Sequence, residues 1–191
     1  MIVSHFFKPL GSLTDDELMQ RVSCKDDDRA FDLLYRRHAR RLMGFFFRQL
    51  DRNEAVAADF TQDAFMRIWT ARNKFVGTNF RTWLFTIAFN LVKNHYRHAE
   101  HQQHYEQFLA LHQAVTEDSN VVETLDSEAL DRALKQELER MSPDALLLFS
   151  LRFEEELSVP QIAEVMAIPE GTVKSRLHTL TQTLKKKLNP S

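Results

Sequence analysis

Apolar side chains recur at intervals of three and four residues along most of this sequence, and that spacing restricts the possible folds more than any other feature. Between about Asp28 and Leu50, the residues on one such stripe are Phe31, Leu34, Tyr35, Leu42, Phe45 and Phe46. This spacing places them on one face of an α-helix. The 191 residues include four Gly and five Pro, too few turn formers for a β-sandwich or barrel. The sequence therefore predicts an all-α protein.

Residues 12–98 are predicted to form a first helical domain of four helices. Thr14 and Glu17 have the spacing of a capping box at the start of the first helix. The second helix covers the stripe described above. Asn53 can cap a third helix, and a fourth is predicted to begin at Asn79 after a short loop.

The fourth helix has its own apolar stripe. Its members are Phe80, Trp83, Leu84, Ile87, Ala88, Leu91 and Val92. We therefore expect Trp83 in the core of the domain. Phe85 lies off the stripe, so we expect it to be exposed and available for binding.

Charge divides the chain into regions of opposite sign. Residues 12–98 carry a net charge of +4, whereas residues 99–127 contain no Lys or Arg and six acidic residues. We interpret 99–127 as a flexible acidic linker and 128–191 as a second helical domain. Residues 170–191 are basic as well, with five Lys and Arg against one acidic residue. Two basic ends joined by an acidic connector are compatible with nucleic-acid binding by both domains, although ordinary solvated helix faces explain charges this modest better.

The second domain contains the most specific pattern in the chain. Ser158 and Gln161 form a second capping box, the helix that follows ends at Ala167, and after a tight turn another helix is predicted to begin at Thr172. This is the layout of a helix-turn-helix, whose second helix enters the DNA major groove. An ordinary helical hairpin is the alternative. The candidate DNA contacts are Thr172, Lys174, Ser175, Arg176, His178 and Thr179.

Several classes of protein are disfavoured. The single cysteine, Cys24, cannot form an internal disulfide and suggests a reducing compartment. The apolar runs are far shorter than the about 18 residues of a membrane span, and the first residues do not resemble a secretory signal. We expect a cytoplasmic protein without membrane insertion. There is no Gly-rich phosphate loop and no nucleophile–base pair, so we expect neither an enzyme nor a cofactor.

Three motifs in this order resemble bacterial RNA polymerase sigma factors. Residues 168–177, Ile-Pro-Glu-Gly-Thr-Val-Lys-Ser-Arg-Leu, look like the family's final helix-turn-helix. Residues 80–91 resemble its promoter-melting helix, and residues 59–69 its polymerase-clamp helix. A chain this short with two domains is similar to the extracytoplasmic-function (ECF) group.

The resemblance implies partners and site residues. It implies binding to core RNA polymerase through Asp59, Gln62 and Asp63, and reading of the −35 promoter element by the helix-turn-helix. It also implies an anti-sigma protein, including one anchored in a membrane, as inhibitor. For the −10 element the implied residues are Phe75, Asn79, Arg81, Phe85, Asn90, Lys93, Asn94 and Arg97.

The sequence departs from the family pattern at a few positions. Relatives often carry Asp at the position of Asn94, and many carry Arg at the positions of Thr179 and Thr181. Fewer cations make fewer phosphate contacts. We therefore expect weak binding of promoter duplex by the free chain.

A series of histidines leaves two other interpretations open. His95, His98, His101 and His104 recur at every third position, with His112 further on. A polar helix end explains the series more simply than a metal site, because no Cys or carboxylate set completes the ligands. The rival functions are a helical metal-dependent enzyme and a transcriptional regulator with a sensory N-terminal domain.

Overall fold

The computed structural model describes residues 9–76, 79–107 and 127–188, and these residues contain helices and no β-strand. The all-α prediction is confirmed. The helices are α1 (Asp15–Lys25), α2 (Asp28–Gln49), α3 (Glu54–Thr70), α4 (Phe80–Gln107), α5 (Ser127–Glu139), α6 (Pro143–Phe149), α7 (Val159–Met166) and α8 (Glu170–Leu188). Short turns of 3₁₀-helix cover Leu10–Ser12 and Arg72–Lys74, and a π-helical turn covers Ser150–Glu154.

The chain separates into two compact units, residues 1–92 and 93–191. The predicted first domain ended at residue 98 and the predicted linker began at 99. In the structure α4 continues without a break to Gln107. The remainder of the predicted linker up to residue 126 lies outside the described residues.

The helix starts follow the predicted capping residues. The Thr14 hydroxyl accepts a hydrogen bond from the Glu17 N–H, and the Glu17 carboxylate accepts one from the Thr14 N–H. Ser158 and Gln161 form the same reciprocal pair at the start of α7. Such caps satisfy backbone N–H groups that have no partner inside the helix.

The core of the first unit is rich in aromatic side chains from α2, α3 and α4. Phe45 packs against both Phe46 and Phe85, with ring centroids 5.6 and 5.5 Å apart. Edge-to-face pairs of this kind stabilise a core beyond the burial of their area. Among the described residues of this unit, the fully buried aromatic side chains are Phe45, Phe46, Phe80 and Phe85.

The second unit has a smaller and mostly aliphatic core. Ile162 and Met166 of α7 and Val173 of α8 are buried, as predicted for the wedge between the two helices. Ile168 and Leu177 are only half-buried. The last helix begins at Glu170, two residues before the predicted start at Thr172, because the Pro169 carbonyl already accepts the Val173 N–H.

Candidate nucleic-acid and protein interfaces

Four of the predicted −10 contacts lie together on α4. Asn90, Lys93, Asn94 and Arg97 are exposed and are spaced by three or four residues. Residues with this spacing are neighbours on one face of a helix. The face offers two amides as hydrogen-bond donors and acceptors and two cations for phosphate groups.

Two of the predicted −10 contacts, Phe85 and Arg81, do not belong to that face. The expectation that Phe85 is exposed is wrong, because its side chain is 1% exposed and packs on Phe45 of α2. Arg81 is half-buried. It precedes Asn90 by nine residues, or about two and a half helical turns, so that the two side chains leave the helix on opposite sides.

The other two predicted −10 contacts, Phe75 and Asn79, lie at the start of α4. Phe75 is half-buried, and its ring centroid lies 5.4 Å from that of Trp83. Asn79 has a φ of 77° and caps α4, because its side-chain oxygen accepts the N–H of Thr82 over 3.2 Å. The Asn79 oxygen is therefore occupied by its own helix, and the amide nitrogen remains as a donor.

Trp83 is placed differently from its sequence prediction. It was expected in the core, yet it is half-exposed and contacts Phe75 and Phe80. A half-exposed aromatic pair is the kind of surface on which unpaired bases stack. The sequence contained a signal for this role, since Trp83 shares its helical face with Asn90 and Asn94.

A charged cluster lies beside the start of α4. Asp15 accepts hydrogen bonds from His38 over 2.7 Å and from Arg37 over 2.8 Å. The His38 hydrogen bond, helped by that of Arg37 and opposed by burial, lowers the pKa of Asp15 from 3.8 to about 2. Asp15 is therefore ionised at neutral pH, and it ties α1 to α2.

The predicted polymerase contacts share a face of α3. Asp59 and Gln62 are exposed, and Asp63 is half-exposed and forms a two-point ion pair with Arg67. Met66, whose exposure no sequence pattern indicated, lies on the same face and is 58% exposed. An exposed flexible side chain beside acidic groups gives this face an apolar contact as well as charge.

The helix-turn-helix presents its candidate residues around α8. Lys174, Ser175, His178 and Thr179 are exposed, Arg176 is exposed on the adjoining side, and Thr172 is half-buried. Lys174 lies 3.8 Å from Glu170 and Arg176 lies 4.0 Å from Asp144. Exposed ion pairs of this length are weak, so both cations can exchange their partners for phosphates.

Hydroxyl groups on α8 bond to their own helix. The Ser175 hydroxyl donates to the Thr172 carbonyl over 3.1 Å, and the Thr179 hydroxyl donates to the Ser175 carbonyl over 3.1 Å. A hydroxyl that donates in this way still has acceptor lone pairs. These two residues can therefore accept hydrogen bonds from base edges or bound water.

Next to these hydroxyls lies a groove of about 580 Å³ between α5, α6 and α8. Apolar side chains line it, among them Met141 from the turn between α5 and α6, Leu148 of α6 and Leu180 of α8. Ser175 and Thr179 are also part of its wall. The groove therefore adjoins the candidate −35 contacts on α8, and no pattern in the sequence indicated it.

The described residues contain no group of three or more His, Cys, Asp and Glu arranged to hold a metal ion. His95 packs on Tyr96 with ring centroids 5.9 Å apart. The side chains of His98, His101, His104 and His112 lie outside the described part of the chain. Among the described helices, none is long and apolar enough to cross a membrane.

Comparison with known families finds two matches. Residues 34–102 match Sigma-70 region 2, and residues 131–179 match Sigma-70, region 4. The chain is 31% identical to the ECF RNA polymerase sigma-E factor of Haemophilus influenzae, over 93% of this chain and 97% of that protein. It is 30% identical to the RNA polymerase sigma-H factor of Pseudomonas aeruginosa, over 92% and 94% of the two chains.

Solved structures show the same fold. CnrH in complex with the cytosolic domain of CnrY has a TM-score of 0.65 at 22% identity, covering 91% of this chain and 96% of that one. RpoE in complex with the anti-sigma factor NepR from Bartonella quintana has a TM-score of 0.62 at 22% identity, covering 84% and 97%.

Proposed function

Because this chain belongs to the ECF sigma factors of RNA polymerase, we propose that its two units bind the −10 and −35 promoter elements while core polymerase holds the chain. It is a transcription-initiation factor. We further propose that it acts in the cytoplasm by binding alone, with no catalytic step of its own. One observation carries the proposal: 93% of the chain aligns with a sigma-E factor at 31% identity.

Strand opening is assigned to residues 75–97, which begin in the first unit and continue along α4. A protein that opens DNA without ATP must bind single strands more tightly than duplex, which requires platforms for unstacked bases and cations for the backbone. Phe75 and Trp83 supply a half-exposed aromatic pair. Lys93 and Arg97 lie further along α4 with the two exposed amides of Asn90 and Asn94. Phe85 and Arg81 are left out of this assignment.

Duplex recognition is assigned to the helix-turn-helix. Lys174, Ser175 and His178 would approach base edges at the −35 element, and Arg176 would contact a phosphate. Thr179 and Thr181 carry no charge, and their hydroxyls bond to their own helix. The free chain should therefore bind promoter duplex weakly, and nanomolar affinity at physiological salt would contradict this expectation.

Polymerase binding is assigned to the exposed face of α3. Asp59, Gln62 and Asp63 would meet a basic surface of the polymerase, and Met66 would add an apolar contact. Charge complementarity of this kind favours the rate and orientation of association.

Control by an anti-sigma protein is also proposed. The structural relatives CnrH and RpoE were solved as complexes, the latter with an anti-sigma factor. In this chain the apolar groove between α5, α6 and α8 would accept an amphipathic helix. Since Ser175 and Thr179 form part of its wall, such a helix would also cover part of the −35 face.

Run-off transcription with purified core polymerase tests the proposal. Genomic fragments serve as templates, with and without the chain. We expect discrete transcripts that require the chain, and a variant with Asp59→Ala and Gln62→Ala should lose them through weaker binding of core. A matched control, Glu54→Ala with Gln20→Ala, removes the same chemical groups from other exposed positions. Failure of the chain to start synthesis from any fragment would refute the function.

A further inference from the structure

α1 and Asp26, the residue that caps its C-terminus, contact both ends of the loop that carries Phe75. At the near end, the guanidinium of Arg72 donates to the Asp26 carboxylate over 2.6 Å. At the far end, the backbone N–H of Phe80 donates to the Asp16 carboxylate over 2.5 Å. The residues that match Sigma-70 region 2 begin at residue 34, so neither carboxylate is part of that match.

The Asp16 bond completes the start of α4. The first N–H groups of a helix have no partner within it. Asn79 accepts the N–H of Thr82 through its side chain and the N–H of Trp83 through its carbonyl. The Phe80 N–H is taken by Asp16, and a carboxylate at this position also interacts favourably with the helix dipole.

α1 is itself fixed to α2, so it can hold the loop in place. Arg37 of α2 donates to Asp15 and to the carbonyls of Gly11 and Leu13, with distances of 2.8 to 2.9 Å. His38, which is 8% exposed, bonds to the other oxygen of Asp15. α2 therefore holds α1 in place, and α1 in turn holds both ends of the loop.

The aromatic pair depends on where Phe80 lies. The Phe80 ring is 5.4 Å from His38, 6.4 Å from Phe75 and 6.5 Å from Trp83. The Phe80 ring is 1% exposed, so it forms a buried support for the half-exposed rings of Phe75 and Trp83. A shift at the start of α4 would move both rings of the pair.

We propose that Asp16 and Asp26 are positioning residues for promoter opening, because α1 sets the span of the loop and thereby the spacing of Phe75 and Trp83. This inference rests on the proposed role of the pair in binding the −10 strand. The two carboxylates act through the loop and do not touch the DNA.

The direction of the change in DNA affinity distinguishes a positioning role from a direct effect of charge. Removing a negative charge near a DNA-binding surface should strengthen DNA binding. Loss of positioning should weaken it. Asp32 provides the control for charge, since it is an exposed carboxylate of the same unit whose ion pair with Arg36 lies within α2.

The experiment uses holoenzyme assembled from core polymerase and the full chain. The probe is a fluorescent single-stranded oligonucleotide that covers the non-template −10 region of a promoter found by run-off transcription. For Asp16→Ala we expect about tenfold weaker binding of the probe, and for Asp26→Ala, whose ion pair is more exposed, about two- to threefold. Asp16→Asn keeps an acceptor oxygen and should stay within about twofold of wild type. Asp32→Ala should bind as well as wild type or better.

Two further readouts distinguish positioning from general loss of structure. Affinity for core polymerase should be equal in all four variants. In a Trp69→Phe background, the emission of Trp83 should shift with Asp16→Ala and return with Asp16→Asn. Equal defects in Asp16→Ala and Asp16→Asn, or a loss of core affinity that matches the loss of probe binding, would overturn the inference. Failure of the parent chain to bind core or probe would instead count against the proposed function.

Discussion

The two units hold their candidate DNA-binding residues in different ways. In the first unit, bonds that span 23 to 64 residues of sequence hold the start of α4 and its surroundings, as with Asp15 and His38 or Asp16 and Phe80. In the second unit, Ser175 and Thr179 bond to carbonyls three or four residues away on the same helix. The first site is therefore built by tertiary structure, whereas the second is displayed on a helix.

This difference predicts how each unit responds to substitution. Changes near the start of α4 should alter stability and strand binding together, since the same contacts support both. Changes on the outer face of α8 should alter DNA binding and leave stability alone. Each of the following predictions tests one side of that contrast.

The largest effect is expected from Phe85→Ala. Removing a buried Phe ring should lower the free energy of unfolding of the first unit by about 3–5 kcal/mol, because a cavity remains next to Phe45. Both tryptophans lie in this unit, so denaturant unfolding followed by tryptophan fluorescence reports on it. Phe47→Ala, at a position 36% exposed, is the control and should cost less than about 1 kcal/mol. A Phe85→Ala variant that keeps its stability but loses DNA binding would instead support an exposed Phe85 that contacts DNA.

A smaller effect, dependent on pH, is expected at Asp15. Its pKa in the folded chain is about 2, against 3.8 for the ordinary group. The pairing therefore stabilises the folded state above pH 3.8, by about 2 kcal/mol at most, and is lost as the pH falls through 2. The difference in unfolding free energy between wild type and Asp15→Asn should be constant above about pH 5 and shrink towards zero as the pH falls below 2. A difference independent of pH would contradict the ion pair.

Lys174→Ala tests the other unit. We expect three- to tenfold weaker binding of holoenzyme to promoter duplex, or about 1 kcal/mol, with thermal stability unchanged. The slope of log affinity against log salt should fall by about 0.9 if one phosphate contact is lost. Lys135→Ala on α5 is the matched control. If Lys174→Ala also destabilises the chain, recognition and folding are not separate in this unit.

The smallest effect is expected in the turn of the helix-turn-helix. Ala167 has a φ of 53°, a left-handed conformation that glycine adopts without steric cost. Ala167→Gly should stabilise the second unit by about 0.5–1 kcal/mol. The same substitution at Ala163, inside α7, should destabilise it by about 1 kcal/mol. Calorimetric melting of the two variants measures both changes in stability. Changes of the same sign would contradict the left-handed conformation of Ala167.

Local features of the fold were readable from the sequence. Capping boxes at Thr14 and Ser158 involve residues three positions apart, and the order of the helices follows from apolar spacing. The helix-turn-helix was predicted for the same reason, since its wedge residues Ile162, Met166 and Val173 are close in sequence.

Which face of α4 is buried could not be predicted from the sequence. Its apolar residues cover more of the circumference than one stripe, and Phe85 and Phe89 are buried along with Leu84 and Ala88. Which arc faces α2 is decided by tertiary packing, so Phe85 is buried where exposure was expected, and Trp83 is half-exposed where full burial was expected. The bond from Asp16 to the Phe80 N–H joins residues 64 positions apart, and no local pattern marks it.

The central claim is that one unit opens DNA while the other holds duplex upstream. Permanganate footprinting of promoter DNA tests it most directly, because the reagent oxidises unpaired thymines. With core polymerase and the chain together, we predict reactive thymines around the −10 element and start site, fewer of them with Asp16→Ala, and none with either component alone. Thymines that stay unreactive with both components present, or that react equally with core alone, would contradict the account.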